Sequence, residues 1–306
     1  MRLLAAQRHL YTQAKQLQRW RVAGTIGLAA IAPVMYYLIP DSKAGLAVSG
    51  GIWLLASRVI LEGIEAKRIE QAAKIQEQFD VELFELPWNR VLVGNKLSPE
   101  LINSADNSYS GDREELKDWY ADTGSVPYPL DVLLCQRANL VWDWRLRRHY
   151  AWGISAMTAL LLGLGIMLAV VTSLALLDYL LALFVPSLAA LLRGVEVAKA
   201  HFKTATEKEK IEQEISEIWE AGLRDPTSVS REQCRRIQDC IYVLRSKGPL
   251  VPDEWYTWLR DRYQVDMQSA VAQLRTSAER ALADDSQASG TIAGQPADGA
   301  DSRSVA

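Results

Sequence analysis

Two pairs of long, nearly uncharged apolar stretches, set into an otherwise polar chain, constrain this sequence more than any other feature. The first pair runs Val22–Ile39 and Ala44–Ile60, and the second Ala151–Val171 and Leu174–Leu192. Each approaches the ~20 apolar residues with which a helix crosses a bilayer core of about 30 Å. Lipid offers no hydrogen-bond partners to a bare backbone, so a single apolar segment immersed in it must be a helix. No charge interrupts the second pair before Asp178, whereas Pro33, Gly45, Gly50, Gly51 and Arg58 dilute the first. Buried core helices of a soluble domain are the competing reading. The expected fold is an all-α membrane protein with four transmembrane helices in two hairpins, helical cytosolic extensions and a small, mainly helical cytosolic domain.

Lys and Arg gather at the cytoplasmic ends of membrane helices. Arg8, Lys15, Arg19 and Arg21 precede the first stretch, and Arg58, Lys67 and Arg68 follow the second. Arg145, Arg147 and Arg148 precede the third, and Arg193, Lys199 and Lys203 follow the fourth. The turns within each pair hold only Asp41 with Lys43, and Asp178. Both termini are therefore expected in the cytoplasm, with the protein multi-pass in the membrane. Trp20, Tyr36, Tyr37, Trp152 and Tyr179 fall near the stretch ends, at headgroup level.

The chain divides accordingly. Residues 1–21 read as a basic amphipathic helix, 22–61 as the first hairpin and 62–150 as a cytosolic sensor or linker region. Residues 151–193 are expected to form the second hairpin, 194–283 a cytosolic helical region and 284–306 a disordered tail, too poor in apolar residues to bury a core. Pro87 stops the helix that continues from the second stretch. Within 94–124, Pro99, Asn103, Asn107 and Gly111 read as turn signals around a short helix at Asp112–Tyr120. Ser230 with Gln233 resembles a capping box.

Chemistry-bearing motifs are few. The net charge of −3 over 306 residues gives no basic field for a nucleic acid polymer. Cys135, Cys234 and Cys240 are expected as free thiols, and with His9, His149 and His201 scattered no metal site is anticipated. No Ser-His-Asp order, glycine-rich phosphate loop or zinc helix is present. Asp80, Glu82 and Glu85 form an acidic cluster that could serve a hydrolase, but a solvated helix face is the simpler expectation. The chain is therefore expected not to be an enzyme, and to need no cofactor.

Two segments stand out, Phe79–Asn89 (FDVELFELPWN) and Cys135–Asp143 (CQRANLVWD), with Asp118-Trp119-Tyr120 and Tyr128-Pro129 between them. In this order, flanked by paired apolar stretches, they resemble the SMODS-associated four-transmembrane effector family of bacteria, from the first stretch to the fourth extension. The resemblance implies an antiphage effector triggered by a cyclic nucleotide from a neighbouring synthase, which oligomerises, permeabilises the membrane and halts or kills the host. A membrane-anchored signalling or scaffold module that forms no pore is the alternative.

Read by themselves, Cys135, Asn139, Trp142 and Leu146 share one helical face, while Asp143 and Arg147 make an i, i+4 pair. Arginines and aromatic rings together can hold a nucleotide through phosphate contacts and base stacking. The candidate ligand set is Arg137, Asn139, Trp142, Arg145, Trp119, Tyr120 and Trp88. The competing reading makes Trp142 and Cys135 core, and Arg145, Arg147 and Arg148 mere markers of the membrane border. Gly24, Gly45, Ser49, Ala159 and Gly163 recur at helix-packing spacing, within one subunit or between copies in a homo-oligomer.

Overall fold

The computed structural model describes residues 1–39, 43–180 and 184–293, and every regular element among them is helical. Helix α1 (Arg2–Leu38) runs unbroken from the chain start through the first apolar stretch. Helix α2 (Lys43–Leu55) passes through a π-helical turn at Ala56–Leu61 straight into α3 (Glu62–Leu83). Short helices α4 (Arg90–Val93) and α5 (Pro99–Asn107) follow. Helix α6 (Leu130–Val171) spans 42 residues, α7 (Leu176–Tyr179) is a single turn, and α8 (Val185–Arg224) spans 40. Helices α9 (Arg231–Lys247) and α10 (Asp253–Ala293) complete the chain. α10 thus reaches into the segment expected as a polar tail, and residues 294–306 lie outside the described ones. So do the Asp41 turn and the side chains of Tyr36, Tyr37, Lys43 and Asp178.

The elements start and stop for local reasons. α3 ends at Leu83 because Glu85 turns into the left-handed region at φ 52 and Pro87 follows. Ser230 and Gln233 close a reciprocal capping box on α9. One expectation fails: Asp112–Tyr120 holds only a 3-10 turn at Glu114–Leu116, and the helix lies earlier, at Pro99–Asn107. Ser98 caps it, its hydroxyl accepting from the Leu101 N–H, and Pro99 occupies the first turn. The Ser-Pro pair was thus a helix start, not a turn.

Two antiparallel pairs organise the molecule, α1 on α3 and α6 on α8, with α5 against α1, α9 against α3 and α10 along α6. The main core joins Leu130, Leu133, Leu134 and Leu140 of α6 to Ile215 and Trp219 of α8 and Ile237 and Ile241 of α9. A second core seats Ala6 and Leu10 of α1 on Ala72 and Ile75 of α3 and Ile102 of α5. The basic N-terminal helix is therefore a packed wall of the polar part, with Leu4, Ala5, Ala6, Leu10 and Ala14 all buried.

Towards the other end the apolar surface faces outwards. Ile26, Ile52, Val59, Met157, Val170 and Leu176 are all more than half exposed, a continuous apolar surface that suits lipid and not water. Among the described residues, α6 is the one helix long and apolar enough to cross a membrane, and none of its most apolar window is buried. Trp20 and Trp152 stand exposed at the border, and Arg21 of α1 grips Glu65 and Glu62 of α3 at 2.5 and 3.2 Å. Just beyond, the Trp53 indole donates to Thr25 (3.1 Å) across Gly24, whose added Cβ would lie 2.2 Å from the ring.

In the second pair, Gly194 on α8 meets Thr158 on α6, and Tyr150 meets His201. Arg193 therefore stands level with residues about two turns inside the third apolar stretch. A long arginine stem bridges such an offset by carrying its guanidinium towards the headgroups.

Candidate functional site

Where the helices leave their apolar ends they enclose a cavity of about 640 Å³, within the range of small-molecule sites. α1 contributes Arg8, Tyr11 and Lys15, α3 Gln76, and α6 Asn139, Trp142, Asp143 and Arg147. α8 contributes Lys208, α9 Arg245 and α10 Tyr256, and the segment before α6 supplies Trp119 and Tyr120. Each of the four helical runs that continue an apolar stretch into the polar part thus places a side chain in one cavity.

Beneath it lies a buried charged network. Glu77 and Asp80 of α3 are 0 % exposed. Arg245 donates to Asp80 Oδ2 at 2.8 Å, the Tyr120 hydroxyl donates to Oδ1 at 2.8 Å, and Gln238 donates to both Glu77 and Asp80. Arg235 donates to Glu77 (2.5 Å) and Asp239 (2.9 Å). Gln136 of α6, 1 % exposed, donates to the Cys234 carbonyl and to Gln238. The acidic cluster is accordingly a solvated face at two of its three residues and not at the third. Glu82 and Glu85 are exposed, but Asp80 points inwards and is the counter-ion of Arg245. Burial of such groups costs more than their attraction returns unless their polar atoms are met; here four elements converge on the two carboxylates, while Gln136 Oε1, Arg235 Nε and Arg245 Nη2 stay buried without a partner.

On the cavity side, Asp143 Oδ2 accepts from Arg147 Nε at 2.7 Å and from Lys208 Nζ at 2.8 Å. Arg147 also donates to the Pro249 carbonyl. Burial works against the Asp143 charge, yet the adjacent Arg147 and Lys208 overcome it and hold the carboxyl well below its ordinary value. Burial pulls the Lys208 ammonium down, with Asp143 opposing. Burial raises the phenols of Tyr11 and Tyr120, keeping both neutral donors. At the mouth the guanidinium of Arg8 stacks over Trp119 (5.5 Å) and Tyr256 (5.7 Å), and Trp142 meets Tyr256 edge-on at 5.8 Å. Exposed Asp112, Glu115 and Asp118 line the rim, so the cavity is cationic within and acidic outside.

Of the seven candidate ligand residues, the fold brings Asn139, Trp142, Trp119 and Tyr120 together in this cavity. The other three lie elsewhere. Arg137 pairs with Glu212 (2.6 Å) on the α6–α8 seam, and Arg145 covers the Trp144 ring. Trp88 donates its indole N–H to the Gly94 carbonyl and packs between two cores. Nor do the three terminal arginines act alike: Arg148 pairs with Glu209, whereas Arg147 is 8 % exposed and faces the cavity. Among the packing candidates, Gly24 packs inside the subunit, while Gly45 and Gly163 have no side chain of the described residues near them and Ser49 and Ala159 are exposed.

Sequence reasoning missed Arg8, Tyr11, Lys208 and Arg245. Lys208 stands in the charged run Glu207-Lys208-Glu209-Lys210, and Arg245 in the last turn of α9, where cations are ordinary. Neither position carries a local mark of burial. Among the described residues no group of three His, Cys, Asp or Glu is disposed to hold a metal, and Cys135, Cys234 and Cys240 are free.

The family model of the SMODS-associating 4TM effector domain matches residues 1–274. A protein of Bacillus cereus (strain VD146) described as a probable CBASS effector molecule is 33 % identical over 268 residues, covering 85 % of this chain and 89 % of that protein. No solved structure matches. The chain is a membrane protein and belongs to the SMODS-associating 4TM effector domain family.

Proposed function

We propose that this protein is an antiphage defence effector of the bacterial inner membrane, that its cytosolic cavity receives a cyclic nucleotide, and that binding drives assembly of several copies and permeabilises the bilayer. One observation carries the reading: all four helices bearing apolar stretches also line a single cavity with a cationic interior. A ligand seated there touches every span at once. Arg147 stands four residues, about 6 Å of helix rise, below Ala151. A shift at the cavity is thereby delivered to the bilayer by rigid helices and not by loops.

Four membrane-crossing helices, both termini in the cytoplasm, are part of the reading. The charge bias at every stretch end and the outward apolar surface support it. The nucleotide is a trigger and not a substrate, so the role is non-enzymatic. No ionisable pair is needed within the spans, because conduction arises between copies. Gly45, Ala159 and Gly163, open on the subunit surface, suit close approach of neighbouring helices.

The test is dye or ion release from proteoliposomes holding the full-length protein, on addition of cyclic mono-, di- and trinucleotides. Release by one of them, abolished in Trp142→Ala, is expected. Intact vesicles with every nucleotide, alongside growth arrest in cells that survives exchange of the spans for an unrelated anchor, would move the protein to a scaffold role.

A further inference from the structure

The inner end of the cavity holds donors that its own walls leave unused. The Tyr11 hydroxyl is buried without a hydrogen-bond partner, and so is Nη2 of Arg245, whose side chain is 9 % exposed. Both residues face the cavity. Leaving a buried donor unmet is costly, and a charged one more so. The charges point the same way. On the far side of the network one cation, Arg235, faces two carboxylates, Glu77 and Asp239. On the cavity side three cations, Arg147, Lys208 and Arg245, face two carboxylates, Asp143 and Asp80. With Arg235, Glu77 and Asp239 included, four cations meet four carboxylates, so the network is neutral as a whole and its cation-rich side is the one that faces the cavity.

We propose that this inner end is a phosphodiester subsite, in which one monoanionic phosphate accepts from the Tyr11 hydroxyl and from Nη2 of Arg245, with Lys208 and Arg147 as the flanking cations. The assignment rests on the nucleotide reading above and deepens it, by naming the part of the ligand that seats first and what it touches. A diester carries a single negative charge, which suits the cation-rich side of a network that is neutral as a whole. Its two free oxygens point apart, matching donors that arrive from different helices, α1 and α9. A carboxylate would supply the charge but no attached rings for Trp119, Trp142 and Tyr256, which stand at the outer end. Seated there, the phosphate ties α1 to α9 through Tyr11, eleven residues before the first apolar stretch on the same unbroken helix. A lipid headgroup presents the same diester chemistry, so the test must separate the two sources.

Dimethyl phosphate is the probe, followed by phosphorus NMR with the full-length protein in a maltoside detergent free of phosphorus. Wild type is expected to broaden its resonance saturably. Tyr11→Phe and Lys208→Met should each weaken the apparent affinity about tenfold, as expected for one hydrogen bond to a charged group. Unchanged melting of Tyr11→Phe without the probe checks that the fold survives. A narrow line with wild type, or broadening that persists in both variants, overturns the subsite. Displacement of the probe by cyclic dinucleotides supports it, whereas displacement by glycerophosphoglycerol alone gives the diester to a lipid and overturns the link to a nucleotide. The two readings fail separately. Nucleotide-driven vesicle release undiminished by Tyr11→Phe removes the subsite and leaves the effector role. Probe binding lost in Tyr11→Phe, with vesicles that never leak, does the opposite.

Discussion

Replacing Asp143 by Asn isolates the charge balance at the cavity floor, because the side chains are of nearly equal shape. In the native fold one carboxylate oxygen holds both Arg147 Nε (2.7 Å) and Lys208 Nζ (2.8 Å). Arg147 keeps the Pro249 carbonyl after the change. Lys208, 3 % exposed, keeps no carboxylate. Stranding one member of a buried pair costs about 3–5 kcal/mol. The loss has a ceiling, because Lys208 can shed its proton instead. From an ordinary value of 10.5, neutralising a lysine near pH 7.5 costs about 4 kcal/mol at roughly 1.4 kcal/mol per unit. A destabilisation of about 3–4 kcal/mol is therefore expected.

Its pH dependence follows with a definite sign. With Lys208 depressed in the native state, the unfolded chain binds one more proton, so stability rises with pH up to 10.5, by up to about 1.4 kcal/mol per unit. Denaturant unfolding of the full-length protein in detergent between pH 6.5 and 9 reads both quantities. The double variant Asp143→Asn, Lys208→Met should regain most of the loss. A loss below about 1 kcal/mol, or a pH slope equal to that of wild type, would refute the stranded-charge argument.

Three further outcomes are expected. His201 is 1 % exposed, and burial, aided by the Arg147 charge, lowers its value to about 3 from 6.5. The unfolded chain then takes up a proton that the native state refuses, so stability falls as pH drops from 6.5 towards 3, by about 1.4 kcal/mol per unit, and His201→Gln should flatten that slope in acid titrations of unfolding. Gly24→Ala pushes a Cβ into the Trp53 ring and should cost about 1–3 kcal/mol in thermal unfolding, whereas Gly163→Ala, with nothing among the described residues within 4 Å, should leave the subunit's melting unchanged. Cys240 is exposed, while burial pushes Cys135 and Cys234 up to about 12. A membrane-impermeant maleimide should thus label Cys240 in inside-out vesicles, and its labelling in intact cells would reverse the topology.

The apolar stretches and, among the described residues, their helical state were legible in the sequence because both rest on local physics: the length of a span and the need of a backbone in lipid to bond itself. The capping box at Ser230 was legible for the same reason. Local pattern also grouped Asn139, Trp142, Trp119 and Tyr120, since aromatic and amide side chains in a polar segment stand out. It failed at Pro99, where one residue type serves both turns and helix starts.

Tertiary structure alone decided which charges go inside. Asp80 and Glu82 are two residues apart on one helix, and Lys208 and Glu209 are neighbours on another, yet one of each is buried and the other is not. A helix turns neighbours about 100° apart, so the packing of α9 against α3 and of α6 against α8 chose among them. The offset between α6 and α8, set by Gly194 against Thr158, is likewise a matter of register that no single helix encodes. Composition and periodicity determine that this chain enters a membrane, and only the contacts between distant helices build the cationic cavity beneath it.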